Sequence, residues 1–239
     1  MSFKKAALKS PIPTPPPNVP AERVSRLNLE LQALSHLQTP TPFDQLQEVP
    51  RPWLDPDALK AKFLKLGAPL HPDRVHHLSE REKREATRRF TELNAAYLTL
   101  RNPRDRLNLL LELESGSKPG NIQKITTGIA GLFAEIGQLC RELDAHLAAR
   151  NPAETSPLLK AAALRAQHEW LARLHSLRFK VDARAASARM ELQKLDAEWM
   201  SSADHKPLLE RLEHMARLFS YIERWKQLLA NRLIQLKTT

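Results

Sequence analysis

The sequence predicts an all-α protein, built as a helical hairpin followed by a three-helix bundle. Three observations carry this. Apolar residues recur at steps of three and four along most of the chain. Glycine is scarce, six in 239 residues with none after Gly137, while Ala, Leu, Glu, Lys and Arg dominate. Prolines and turn residues fall between the periodic stretches rather than inside them. With 42% hydrophobic residues the chain is long enough for one or two packed cores.

Residues 10–20 carry Pro11, Pro13, Pro15, Pro16, Pro17 and Pro20. Proline fixes φ and lacks the amide proton, so this stretch is extended and serves as a tether. Val24, Leu27, Leu31 and Leu34 then mark a short helix. Residues 1–42 are therefore expected to be a Pro-rich tail with a short helix, partly disordered. Prolines at 40, 42, 50 and 52 break the chain again, with Phe43 and Leu46 in a single helical turn between them.

The next helix is clearly punctuated. Asp55 caps it, Pro56 suits the first helical position and Asp57 complements the dipole. Leu59, Phe63 and Leu66 form its stripe, and Gly67 with Pro69 ends it early. A loop then holds His71-Pro72-Asp73-Arg74. Ser79 with Glu82 makes a capping box for a second helix, striped by Ala86, Phe90, Leu93, Tyr97 and Leu100. The two helices flank one polar loop, and their apolar faces pack antiparallel. Asn102-Pro103 starts a further short helix, with Leu107, Leu110 and Leu111 as its buried side.

Ser115 to Gly120 is turn chemistry and sets a boundary between a domain at 43–114 and one at 121–239. Beyond it run three long patterns: Ile125 to Leu147, Trp170 to Trp199 and Leu208 to Leu236. Asn151-Pro152 and Asp204 to Pro207 mark the breaks. Mixed steps of three and four are what antiparallel helix packing needs.

Charge and cysteine usage narrow the function classes. The formal net charge is +10 and the pI about 9.9. The excess is thinly spread: +3 over 1–42, +2 over 43–113, zero over 114–139 and +5 over 140–239. No dense basic stripe appears, so a solvated surface is favoured over a nucleic-acid footprint. Cys140 is the single cysteine, no Cys/His set has zinc spacing, and no nucleophile-bearing turn is visible. His76 and His77 read as solvated loop histidines, and Trp170, Trp199 and Trp225 as packing residues on long helices. No apolar run is long enough to span a bilayer. The basic start, Met-Ser-Phe-Lys-Lys, leads into prolines that spoil a targeting helix. The expectation is a cytoplasmic protein, with a mitochondrial location as the alternative.

His71, Pro72 and Asp73 between two amphipathic helices decide the functional reading. After them comes Leu93-Asn94-Ala95-Ala96-Tyr97-Leu98-Thr99-Leu100-Arg101-Asn102-Pro103-Arg104-Asp105-Arg106. This arrangement resembles the J domain, and in detail the HscB branch, the co-chaperones of iron–sulfur cluster assembly. Leu54-Asp55-Pro56-Asp57-Ala58-Leu59-Lys60-Ala61-Lys62-Phe63 is similar to the opening of that branch's second J helix. Leu132 to Asp144 resembles its first client-binding helix, and Trp199 with the Arg217 to Leu229 stretch its last. The likeness covers roughly residues 43–236 and is most specific in the J portion.

The resemblance implies a mechanism and partners. J proteins dock on an ATP-dependent chaperone of the DnaK/HscA type and stimulate its ATP hydrolysis, so the chain itself is not an enzyme and needs no cofactor. The docking set would be His71, Pro72, Asp73 and Arg74, with Lys60, Lys62 and Lys65 as basic contacts to an acidic chaperone surface. Pro72 fixes the turn, Asp73 offers a carboxylate to an arginine of the chaperone, and His71 adds packing and a donor. Where the family has basic and aromatic residues before the motif, this chain has Gly67-Ala68-Pro69-Leu70. In the HscB branch a patch on the C-terminal bundle holds an IscU-like scaffold protein. The matching positions are Leu132, Phe133, Ile136, Leu139 and Cys140. Leu132, Ile136 and Leu139 already lie on the core stripe, while Phe133 and Cys140 lie beside it and suit a surface patch better. Two other readings stay open, a J-domain protein with an unrelated client and a basic helical nucleic-acid binder.

Overall fold

The computed structural model describes residues 40–116, 129–149 and 156–238, and every regular element among them is helical. The expected Pro-rich tail, its short helix, most of the Ser115–Gly120 boundary and the Asn151-Pro152 break lie outside the described residues.

The chain enters through a one-turn helix α1 (Pro42–Gln45), closed by a capping box between Thr41 and Asp44. Its Phe43, with Leu46 just beyond, is fully buried. Helix α2 (Pro56–Gly67) starts on Asp55, whose carboxylate accepts from the Asp57 and Ala58 amides at 3.1 and 2.8 Å. A 3₁₀ turn (Ala68–Leu70) follows, then α3 (Pro72–Val75) and α4 (Glu80–Arg101). The Ser79–Glu82 capping box opens α4 as the spacing predicts. Phe43, Leu46, Leu54, Leu59, Leu93, Tyr97 and Leu100 share one core, with Phe63 and Leu66 packed against it. The two helices that flank the motif therefore do pair. Phe63 of α2 stacks on Tyr97 of α4 with ring centroids 4.4 Å apart.

Asn102 caps α5 (Pro103–Ser115), which ends on Gly116 at φ 68°, a left-handed cap suited to glycine. The long helices are α6 (Ala130–Ala148), α7 (Pro157–Ser201) and α8 (Leu209–Thr238), the last preceded by a 3₁₀ turn (Lys206–Leu208). α7 begins thirteen residues before the expected Trp170. Its first turns are rich in exposed Ala and Leu and bury no stripe that periodicity could reveal.

α8 packs along both α7 and α5, and α6 lies against α7. The three expected long helices thus share their core with Leu107, Leu110 and Leu111 of α5. A buried polar set ties the hairpin to this core. Asp196 of α7 accepts from Arg51 Nε at 3.0 Å, from Arg51 Nη2, and from the Trp53 amide at 2.9 Å. Arg106 of α5, also buried, donates to the Pro52 carbonyl at 2.8 Å and to the Leu100 carbonyl. Burial pulls the Arg106 guanidinium down to about 10, with Asp196 opposing that shift. The hydrogen bond to Asp196 raises the Arg51 guanidinium further. The connector at residues 51–53 is therefore held from both sides, and it fixes where α2 begins.

Candidate chaperone-docking site and client face

The site is built where α2 stops. Pro69 withholds an amide, and Gly67 lets the end of α2 approach α4. A Cβ on Gly67 would come within 3.1 Å of Phe90 Cε2. The 3₁₀ turn then delivers His71 in an extended conformation, φ −65° and ψ 137°.

The structure corrects the loop expected for His71-Pro72-Asp73-Arg74. His71 is the N-cap of α3, and Pro72 to Val75 form one helical turn. His71 Nδ1 accepts from the Asp73 amide at 3.3 Å, and its carbonyl accepts from the Arg74 amide at 2.8 Å. A histidine ring nitrogen here does the work that a serine or aspartate oxygen usually does. Proline at the first helical position loses no hydrogen bond, so the motif is itself a compact cap. Buried Val75 anchors the turn, and the His71 ring meets Phe90 edge-on at 6.3 Å. His76 Nδ1 adds a 2.7 Å contact to the Asp73 carbonyl.

This scaffolding leaves Asp73 presented to solvent. Its side chain is 89% exposed, with Oδ2 3.6 Å from His71 Nδ1. Beside it, Phe63, Leu64, Gly67, His71 and Phe90 line a hollow of about 460 Å³. A carboxylate at the rim of an apolar hollow suits a guanidinium, which pairs bidentately at its tip and packs along its stem.

Of the basic residues expected around this site, Lys60, Lys65 and Arg74 are exposed. Lys62 is turned inward. Its ammonium pairs with Glu48 at 2.6 Å and donates to the Gln47 carbonyl at 2.9 Å, bracing the segment between α1 and α2.

The client candidates divide in the same way. Ile136 is buried in the core shared by α5, α6, α7 and α8, so it is not available to a client; the α6 stripe claims it. Leu132 and Cys140 are half-buried against that core. Phe133 is 47% exposed and tilts towards Trp225 of α8 with centroids 6.5 Å apart. Tyr221, half-buried, stacks on Trp225 with centroids 6.0 Å apart. Tyr221 lies off the buried stripe of α8, and nothing in its spacing singles it out.

The basic excess is interleaved with carboxylates. Arg88 pairs with Glu85 and Glu92, Arg173 with Glu142, Arg211 with Glu198 and Arg232 with Asp144. Among the described residues no cluster of His, Cys, Asp and Glu has the make-up of a metal site. No helix there is long and apolar enough to cross a membrane.

No family model matches the chain. A co-chaperone protein HscB homolog of Vibrio cholerae is 26% identical over 171 residues, covering 72% of this chain and 88% of that protein. A second HscB homolog, from Haemophilus influenzae, is 34% identical over 83 residues, covering 35% of this chain and 48% of the relative. The solved chaperone HscB from Vibrio cholerae overlaps 82% of this chain and 99% of its own with a TM-score of 0.53 and 22% identity. The human co-chaperone HscB overlaps 80% and 82% with a TM-score of 0.50 and 19% identity. Both structural likenesses are likenesses of fold.

Proposed function

We propose that this chain, an HscB-type co-chaperone by sequence and fold, docks on a DnaK/HscA-type chaperone through His71-Pro72-Asp73. It stimulates that chaperone's ATP hydrolysis and delivers an IscU-like scaffold protein of iron–sulfur cluster assembly. The observation that carries this reading is the capped turn that holds the Asp73 carboxylate in solvent beside an apolar hollow.

Asp73 accepts from an arginine of the chaperone. His71 holds the Asp73 amide and leans on Phe90, so turn and hairpin move as one. Pro72 starts the helical turn without an unsatisfied amide. Lys60, Lys65 and Arg74 supply the electrostatic approach to an acidic surface. Lys62 acts within the fold. The chemical step takes place in the nucleotide site of the partner, where this chain contributes only differential binding to the hydrolysis-competent state. At the other end, Phe133 with half-buried Leu132 and Cys140 forms the scaffold face. The rigid link through Arg51, Asp196 and Arg106 sets the distance between scaffold and chaperone.

A coupled assay tests the whole reading. The chain and the scaffold together should accelerate the chaperone's ATP hydrolysis more than either does alone. Additive effects would show that this chain does not hand the scaffold over.

A further inference from the structure

His71 Nδ1 faces two atoms of one residue. It lies 3.3 Å from the Asp73 amide nitrogen and 3.6 Å from Asp73 Oδ2. The first is a donor and the second an acceptor, so this nitrogen can serve only one of them at a time. As a neutral ring with its proton on Nε2, His71 accepts from the amide and caps α3. With a proton on Nδ1 it can only donate, and Oδ2 stands within reach. A serine, threonine or asparagine cap has no such reversal, because its oxygen accepts throughout the ordinary pH range.

The surroundings leave this choice to Asp73. The hollow at the ring is walled by Phe63, Leu64 and Gly67 of α2 and by Phe90 of α4, and the charged groups that share it are Asp73 and Arg74. His71 is the one ion-pair partner of Asp73 among the described residues. Its side chain is 53% exposed, so its proton exchanges with solvent. His76 is the other titratable group on the turn. Its Nδ1 lies 2.7 Å from the Asp73 carbonyl, where it donates whether the ring is neutral or charged.

We propose that His71 is a proton-operated latch on Asp73, an inference that rests on the docking role given above. The neutral latch caps the turn and leaves both carboxylate oxygens to the chaperone arginine. The protonated latch takes Oδ2 for itself and leaves the Asp73 amide without its acceptor. An arginine approaching the carboxylate then meets a like charge. Histidine changes charge between roughly pH 5 and 8, so docking weakens on acidification within that window. The coupling is reciprocal. An arginine seated on Asp73 drives the proton off His71, and docking at acid pH releases a proton.

NMR of the isotopically labelled full chain, titrated from about pH 8 to about pH 5, tests the latch without the chaperone. The neutral His71 ring should carry its proton on Nε2. The Asp73 amide and carboxyl signals should move with the same midpoint as that ring. In His71→Asn, which caps without titrating, this movement should vanish. A neutral ring protonated on Nδ1, or an Asp73 that titrates unchanged in His71→Asn, overturns the proposal. Chaperone affinity supplies the second arm, with Asp73→Asn as the reference that cancels any pH response of the chaperone. The advantage of the intact chain over Asp73→Asn should shrink by about fivefold or more on acidification across the window. A constant advantage overturns the latch. An intact chain that binds no chaperone at any pH overturns the docking reading instead, and the NMR titration still decides the latch.

Discussion

Arg51 reaches from the connector ahead of α2 to Asp196 of α7, and both guanidinium contacts land on a buried carboxylate that also accepts the Trp53 amide. This pair fixes the hairpin on the bundle. Arg51→Ala leaves Asp196 buried with one backbone donor. Breaking a fully buried pair costs about 3–5 kcal/mol. Arg51 is partly solvated, so we expect about 2–3 kcal/mol, measured by urea unfolding. The cost of Arg51→Ala combined with Asp196→Asn should be less than the sum of the two. Unchanged stability in Arg51→Ala would mean that the pair holds nothing.

Gly67 packs the end of α2 against Phe90 of α4. Gly67→Val adds branched bulk where even a Cβ would lie 3.1 Å from Phe90. Overpacking of this kind costs about 1–3 kcal/mol. Phe90 also supports His71, so chaperone stimulation should fall with stability. A valine variant that stimulates normally would separate the ring from the turn.

Phe133 and Ile136 lie one turn apart on α6 and should answer differently. Phe133→Asp, at an exposed site, should weaken scaffold binding at least tenfold with little change in melting temperature. Ile136→Asp buries a charge without a partner and should unfold the domain. Full scaffold binding by Phe133→Asp, measured calorimetrically, would remove this face from the client site.

Lys60 and Lys65 face solvent while Lys62 is engaged with Glu48. Replacing Lys60 and Lys65 by Glu should weaken chaperone binding about tenfold at low salt. The deficit should shrink as salt shortens the screening length from about 10 Å at 0.1 M. Lys62→Glu should show mainly as lost stability. A deficit independent of salt would assign these lysines a structural role.

The sequence made the helices legible because their caps are local. Asp55, Ser79 with Glu82, and Asn102 each sit where their oxygens meet the next free amides. The motif was legible as residues but not as geometry. His71 serves as a cap through a ring nitrogen, and that depends on Phe90, nineteen positions away. Arg51, Arg106 and Asp196 could not be found at all. Each looks like a surface charge in its own window, and only tertiary packing buries Arg106 and Asp196 and brings Arg51 to Asp196. Lys62 and Ile136 were candidates through the family resemblance. The core stripe of α6 already claimed Ile136 in the sequence, while the contacts of Lys62 with Gln47 and Glu48 appear only in the fold.

In the proposed function Asp73 acts as a negatively charged acceptor on a preformed turn. Asp73→Asn keeps the shape and the backbone bonds of α3 and removes the charge. A charge-assisted bond contributes about 1.5–3 kcal/mol, which corresponds to roughly ten- to hundredfold in affinity. The direct measurement is single-turnover ATP hydrolysis by the chaperone, titrated with the intact chain and with Asp73→Asn. The expected result is saturable acceleration by the intact chain and at least a tenfold loss in the variant, with identical circular dichroism. Equal acceleration by both proteins, or none by the intact chain, would contradict it.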